Sequence, residues 1–251
     1  MYRTRFAKDI VCEFLPPTRI TKRNKVIIYS PGLPSSPTKR VFAEFYSKKG
    51  FWVFLPRYRG TWESGGQLLQ NEPTKDIKDV IDGVCNGFVD IPSSGLGKPT
   101  RYSLQPAKLI LVGSSFGGPA VLLNSKDLRV SKVICLSPVV DWSIPSRVER
   151  AKWFWPFVKE AFGEAFRINQ EGIKKLYKTP FYNPNLQKEK IEGSKVLIIH
   201  AKDDEIVTFP PVEAFSKSID AKLIVLKKGG HLSSHYLTKS KSILNFLNLN
   251  I

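Results

Sequence analysis

Six short runs rich in Val and Ile recur along the chain, each apolar on both faces: KVIIYS (25–30), FWVFLP (51–56), KLILVG (108–113), KVICLSP (132–138), KVLIIH (195–200) and KLIVL (222–226). A strand with one wet face alternates apolar and polar residues. Unbroken hydrophobicity is what a central parallel strand needs when helices cover both of its sides. Parallel neighbours also require long crossovers, and amphipathic stretches separate the runs. PTKRVFAEFYSKKG (37–50) sets Val41, Phe42, Phe45 and Tyr46 at helical spacing and stops at Gly50. PTKDIKDVIDGVCNGF (73–88) does the same with Ile77, Val80, Ile81 and Val84, and TKSKSILNFLNL (238–249) reads as the closing helix. DIVCEFLP (9–16) reads as an added antiparallel strand. The expectation is one α/β domain over 1–251, built on a doubly wound, mostly parallel sheet.

Two segments interrupt this alternation. Residues 91–106 (IPSSGLGKPTRYSLQP) are rich in Gly, Pro and Ser and read as a long loop. Residues 141–190 are longer than a single crossover helix needs and carry ten aromatic side chains, including Trp142, Phe154 and Tyr177. They read as a small helical cap over the carboxyl ends of the strands, where such sheets bind ligands. Most of those rings are expected to pack the cap onto the body.

Composition narrows the partners. The net charge is +17, but the lysines are dispersed, the densest cluster (TKRNK, 21–25) is short, and no nucleic-acid motif accompanies them. A solvated lysine-rich surface is the expectation, with no specific nucleic acid partner. Cys12, Cys85 and Cys135 are odd in number and form no C-x-x-C pair, which suits reduced thiols in a cytoplasmic protein. No segment approaches 18 continuous apolar residues, so no membrane span is expected. Homodimerisation is left open.

The strand KLILVG runs into Gly113-Ser114-Ser115-Phe116-Gly117-Gly118-Pro119, a G-x-S-x-G between a strand and a helix. This is the context of a nucleophile elbow. A nucleophile on so tight a turn has strained backbone angles, and side chains two residues to either side would collide. Gly113 and Gly117 remove them. Pro119 falls in the first helical turn, where a missing N–H costs little, and the helix start favours negative charge beside Ser115.

From these residues onward the sequence resembles the α/β-hydrolase family over nearly its whole length. The resemblance implies a triad in the order nucleophile, acid, histidine. After KVLIIH the chain reads Ala201-Lys202-Asp203-Asp204-Glu205-Ile206-Val207, similar to the family's H-G-x-x-D-x-x-V with Ala201 for the usual glycine. That implies Asp204 as the acid, with Asp203 and, more remotely, Asp141 as rivals. His231, after Gly229-Gly230 in the loop beyond the last strand, stands where the family places its base; His235 is its competitor and His200 reads as structural. The oxyanion hole would take one backbone N–H from Phe116. The second would come from Leu33 in Ser30-Pro31-Gly32-Leu33-Pro34, because the flanking prolines have no N–H to give. The stretch Tyr58-Arg59-Gly60-Thr61-Trp62-Glu63-Ser64-Gly65 resembles the loop of dienelactone-hydrolase-like and prolyl-oligopeptidase-like members, such as acylaminoacyl peptidases. Arg59 and Trp62 are its candidate pocket residues, Arg59 more often tying down the loop.

These residues together imply a serine hydrolase cleaving a small to medium carboxylic ester through an acyl-enzyme, with no metal and no organic cofactor. Short peptides, acyl-amino acids and thioesters are the alternatives on the same triad. A non-catalytic binding protein would not need the triad residues, and Ser115 at the elbow excludes the carboxylate-dependent dehalogenase and epoxide hydrolase chemistries.

Overall fold

The computed structural model of the protein describes residues 1–21, 23–92, 97–148 and 151–249. All six apolar runs are strands: β3 (Asn24–Ser30), β4 (Phe51–Pro56), β7 (Pro106–Ser114), β8 (Val130–Leu136), β9 (Val196–Ala201) and β10 (Lys222–Leu226). They pair in parallel. The expected antiparallel strand is β2 (Ile10–Leu15), which pairs with β4. Three further strands complete the sheet: β1 (Tyr2–Phe6), β5 (Phe88–Ile91) and β6 (Arg101–Tyr102). The order is β10-β9-β8-β7-β3-β4-β2-β1-β5-β6.

The five inner parallel strands are buried on both faces, as their composition requires, whereas β10, expected to be buried, is the sheet's edge strand and leaves Lys222 and Val225 exposed. Along β3, Val26 and Ile28 join one core while Ile27 and Tyr29 join the other. The first core holds α2 (Pro73–Asn86) through Ile77, Val80, Ile81 and Val84, and α3 (Gly117–Leu122). The second holds α1 (Arg40–Lys48) through Phe42 and Tyr46, and α8 (Lys241–Phe246) through Ile243. Emptying one of these fully buried positions by a large-to-Ala change would cost about 2–5 kcal/mol.

Two further expectations need correction, and one strand was not anticipated. The region 91–106 is not all loop: β6 lies within it and pairs antiparallel with β5, while residues 93–96 lie outside the described residues. The N-terminus is a strand: Thr4 and Phe6 face inward between exposed Arg3 and Arg5, and Ala7 and Lys8 (φ 46° and 70°) turn β1 back onto β2. The closing helix is two, α7 (Tyr236–Lys239) and α8, because Ser240 adopts an extended backbone between them.

Between β8 and β9 the chain forms α4 (Ala151–Phe162) and α5 (Gln170–Lys178). This stretch is fastened to the 58–68 loop by bridges Thr61–Phe166 and Leu68–Ile168. Arg167 also donates to the carbonyls of Trp62, Ser64 and Glu164. The remaining helix, α6 (Phe209–Ser218), precedes β10. Among the described residues no helix is long and apolar enough to cross a membrane.

The topology places the site. The chain leaves β3 for β4 on one side and later returns to β7 on the other, so strand order reverses between β3 and β7. Such a switch opens a crevice at the carboxyl ends of the strands. The loops that emerge there are Pro31–Pro34 from β3 and Ser115–Phe116 from β7.

Candidate active site

Ser115 sits on the turn from β7 into α3 with φ of +49°, a left-handed backbone that costs a non-glycine residue about 1–3 kcal/mol. Fixed hydrogen bonds hold it there. Its N–H donates to Leu136 O on β8 (3.0 Å), and its carbonyl accepts from the N–H groups of Gly118 (2.9 Å) and Val139 (3.2 Å). A Cβ on Gly113 would stand 2.6 Å from the Gly117 carbonyl oxygen, within the turn as expected. A Cβ on Gly117 would instead run into the Ser30 carbonyl of β3. The second glycine is therefore demanded by packing of the turn on its neighbour strand. The helix that follows is only six residues long.

The loop after β3 lies against this serine. A Cβ on Gly32 would be 3.2 Å from Ser115 Cβ and 3.9 Å from its Oγ. Tyr58, fully interior, ties the loop down: its hydroxyl donates to Pro31 O (2.7 Å) and pairs with Ser30 Oγ (2.7 Å). On the other side, the buried Tyr182 hydroxyl donates to Phe116 O at 2.6 Å. Leu33 and Phe116 both line the cavity beside Ser115. Neither Tyr58 nor Tyr182 carries a role that the sequence alone assigns.

Asp204 lies in the loop after β9 and His231 in the loop after β10. Asp204 Oδ2 accepts from His231 Nδ1 at 2.9 Å, while Oδ1 accepts from the backbone N–H groups of Ile206 (3.0 Å) and Val207 (2.9 Å). Burial pushes the Asp204 carboxyl up, but the His231 bond and the Val207 N–H outweigh it and hold the group below the usual carboxylate range. The parallel strands bring Ser115, Asp204 and His231 to the same sheet edge.

The rivals fall into other roles. Asp203 is exposed and accepts from the N–H groups of Gly229 (3.2 Å) and Gly230 (2.9 Å), shaping the turn that delivers His231. His235 is exposed and lines a separate recess with Lys39 and Arg40. Asp141 binds Asn183 and Asn185. His200 is fully buried beside the acid. Its Nε2 donates to Val207 O (2.8 Å) and lies 3.5 Å from Asp204 Oδ2. Burial lowers its pKa and keeps the ring neutral. Two more contacts tie the His231 loop to the carboxyl ends of the neighbouring strands. Leu232 N–H donates to Ser137 Oγ (3.2 Å), and the Tyr29 hydroxyl donates to Ser114 Oγ (3.1 Å) while also bonded to Ser234.

A cavity of about 320 Å³ opens beside Ser115. Ile206, Val207 and Pro211 form one wall, and Trp142, Phe154 and Tyr177, all from the 141–190 segment, form another. Neither candidate pocket residue of the 58–65 loop is among its lining. Arg59 is held by Asp9 (2.8 Å), Asp76 (2.6 Å) and Asp79 (2.7 Å). Each of its three nitrogens donates to a carboxylate, so Arg59 ties the loop to its neighbours. Trp62, also at positive φ (49°), packs on Phe166 and faces a small cleft behind Pro31 and Gly32. Among the described residues no cluster of three His, Cys, Asp or Glu side chains could hold a metal ion.

No protein-family model and no curated protein matches the chain. Solved structures do. An esterase from Pyrococcus furiosus is similar over 99% of this chain and 91% of that one, at TM-score 0.63 and 16% identity. The acylaminoacyl peptidase of Pyrococcus horikoshii is similar over 94% of this chain but only 38% of its own, at TM-score 0.61 and 14% identity. The α/β hydrolase GrgF from Penicillium sp. sh18 matches over 98% of this chain and 95% of that one, at TM-score 0.64 and 16% identity. At such identities what is shared is the architecture: the chain has the α/β-hydrolase fold.

Proposed function

We propose that the protein is a serine hydrolase that cleaves a carboxylic ester through an acyl-enzyme on Ser115. The observation that carries this reading is the Asp204–His231 hydrogen bond of 2.9 Å, with the acid locked by two backbone N–H groups at the sheet edge that bears a strained Ser115. A serine hydroxyl is a weak nucleophile and needs a base beside it. His231 Nε2 takes the Ser115 proton as Oγ bonds to the carbonyl carbon. Asp204 keeps Nδ1 protonated and stabilises the imidazolium. The backbone N–H groups of Leu33 and Phe116 receive the developing oxyanion. The intermediate collapses, the C–O bond to the alcohol breaks, and His231 returns its proton to that oxygen. Water then repeats the sequence on the acyl-enzyme and frees the acid.

The α4–α5 segment acts in this scheme as a cap whose aromatic rings wall the pocket. The similarity to an esterase over nearly all of both chains favours an ester over a peptide. The peptidase resembles this chain over little more than a third of its length. Fluorophosphonate labelling tests the reading: wild type should be labelled at Ser115, S115A should not, and S115A should lose hydrolysis of short-chain p-nitrophenyl esters. Unlabelled wild type with no ester, thioester or aminoacyl-arylamide hydrolysis would overturn it.

A further inference from the structure

The cavity beside Ser115 has a charge pattern that cleavage of a neutral ester does not call on. The chain carries 39 Lys and Arg against 22 Asp and Glu. Yet among the described residues no Lys or Arg lines this cavity, and the one lining side chain charged at neutral pH is Asp141. Asp141 follows β8. Its Oδ1 accepts from Ser143 N–H (2.9 Å), Ser143 Oγ (2.7 Å) and Asn183 Nδ2 (2.9 Å), and its Oδ2 accepts from Asn185 Nδ2 (2.8 Å). All four donors are neutral. They orient the carboxylate and favour its ionised form, and none of these described partners cancels its charge. A neutral acceptor could hold the same donors, so the charge is the part of Asp141 that the local fold does not require.

The remaining walls are suited to one kind of charged guest. Phe116, Trp142 and Phe154 line the cavity, and aromatic faces attract a cation through the ring quadrupole. Among the described residues of the wall, an anionic group would meet Asp141 with no cation to compensate. We propose that this cavity binds an ammonium group, primary or quaternary, with Asp141 as its counter-ion, so that the substrate is an amine-bearing ester. The proposal depends on the serine hydrolase reading only for the bond that is cleaved; recognition of the cation stands apart from it. The net charge of +17 does not oppose this at contact range, because surface charges are screened beyond about 8 Å at physiological ionic strength.

The cavity has room for about ten water-sized volumes, which suits phenyltrimethylammonium and its uncharged isostere tert-butylbenzene. The two share shape and size and differ in charge. The hydrophobic effect alone favours the uncharged one, so a preference for the cation reports the wall. Calorimetric titration of wild type should give binding of the cation about tenfold tighter than of the isostere. In D141N that ratio should fall to one or below. In N185A, which removes a donor and leaves the charge, the preference should persist. Equal or tighter binding of tert-butylbenzene to wild type overturns the proposal, as does loss of the preference in N185A to the same extent as in D141N. Failure of Ser115 to react with a fluorophosphonate would instead remove the hydrolase reading and leave the titration result standing.

Discussion

Gly32→Ala puts the proposed chemistry at risk while barely touching the fold. The backbone at Gly32 lies outside the left-handed region, so alanine is conformationally permitted. The added Cβ would stand 3.2 Å from Ser115 Cβ and 3.4 Å from Ser114 O. Ordinary carbon contacts lie near 3.5–4.0 Å, so the loop at 31–34 and the elbow must separate by about 0.3–0.8 Å. Misplacement of reacting groups by about 1 Å costs about a hundredfold in rate, so half that distance costs about tenfold. If the Leu33 N–H also leaves the oxyanion, a further factor of about 10²–10³ is at stake. We expect kcat/KM on a short-chain ester to fall about ten- to a hundredfold, chiefly through kcat, because the contact touches the reacting atoms rather than the cavity walls. Stability should hardly change. Loss of unfolded-state entropy favours alanine by about 0.4–1 kcal/mol and offsets the small clash, so Tm should stay within about 4 °C. Steady-state kinetics and calorimetry on the same samples decide the matter. Undiminished kcat in a variant of unchanged Tm would refute the placement of this loop against the nucleophile.

Three other outcomes follow from the same geometry. D204N should lower kcat by about 10⁴ by permitting the wrong His231 tautomer, whereas D203N, which disturbs only the Gly229–Gly230 turn, should cost far less; a reversal would exchange their roles. Arg59→Ala should destabilise the fold by about 3–5 kcal/mol in urea unfolding, because it strands Asp76 with no counter-ion; loss of ester turnover without loss of stability would return Arg59 to the substrate. The Arg129 bond holds the Asp127 carboxyl down to about 2, from an ordinary 3.8. Because the folded value lies below the unfolded one, Asp127 adds stability above pH ~4 that is lost as pH falls toward 2. D127N should therefore lower Tm at pH 7 and flatten its acid decline, and an unaltered acid limb would contradict the assignment.

What could be read in the sequence followed from how local its cause is. The parallel strands were visible because burial on both faces leaves one composition, Val and Ile without alternation. The elbow was visible because its strain is relieved by glycines a fixed distance away. β1 is not legible because Arg3 and Arg5 mask its two inward residues, and it is a strand through its antiparallel pairing with β2 and β5. Arg59 was ambiguous because its three carboxylates lie up to 50 residues away in sequence. The tyrosine bolts, Tyr58 onto Pro31 and Tyr182 onto Phe116, depend on tertiary distances that no spacing rule encodes. The choice of Asp204 over Asp203 rested on resemblance, and the structure gives the two adjacent carboxylates different partners for a plain reason. Successive side chains in the turn diverge, one toward His231 and one toward the Gly229–Gly230 backbone.

Ile206 and Val207 serve two masters at once. Their main-chain N–H groups grip the Asp204 carboxylate, while both residues also line the cavity. Substitution changes a side chain and leaves its amide in place. Selection could therefore recut the pocket for new guests at these two positions without retuning the acid, and a library randomised there is a direct route to altered specificity.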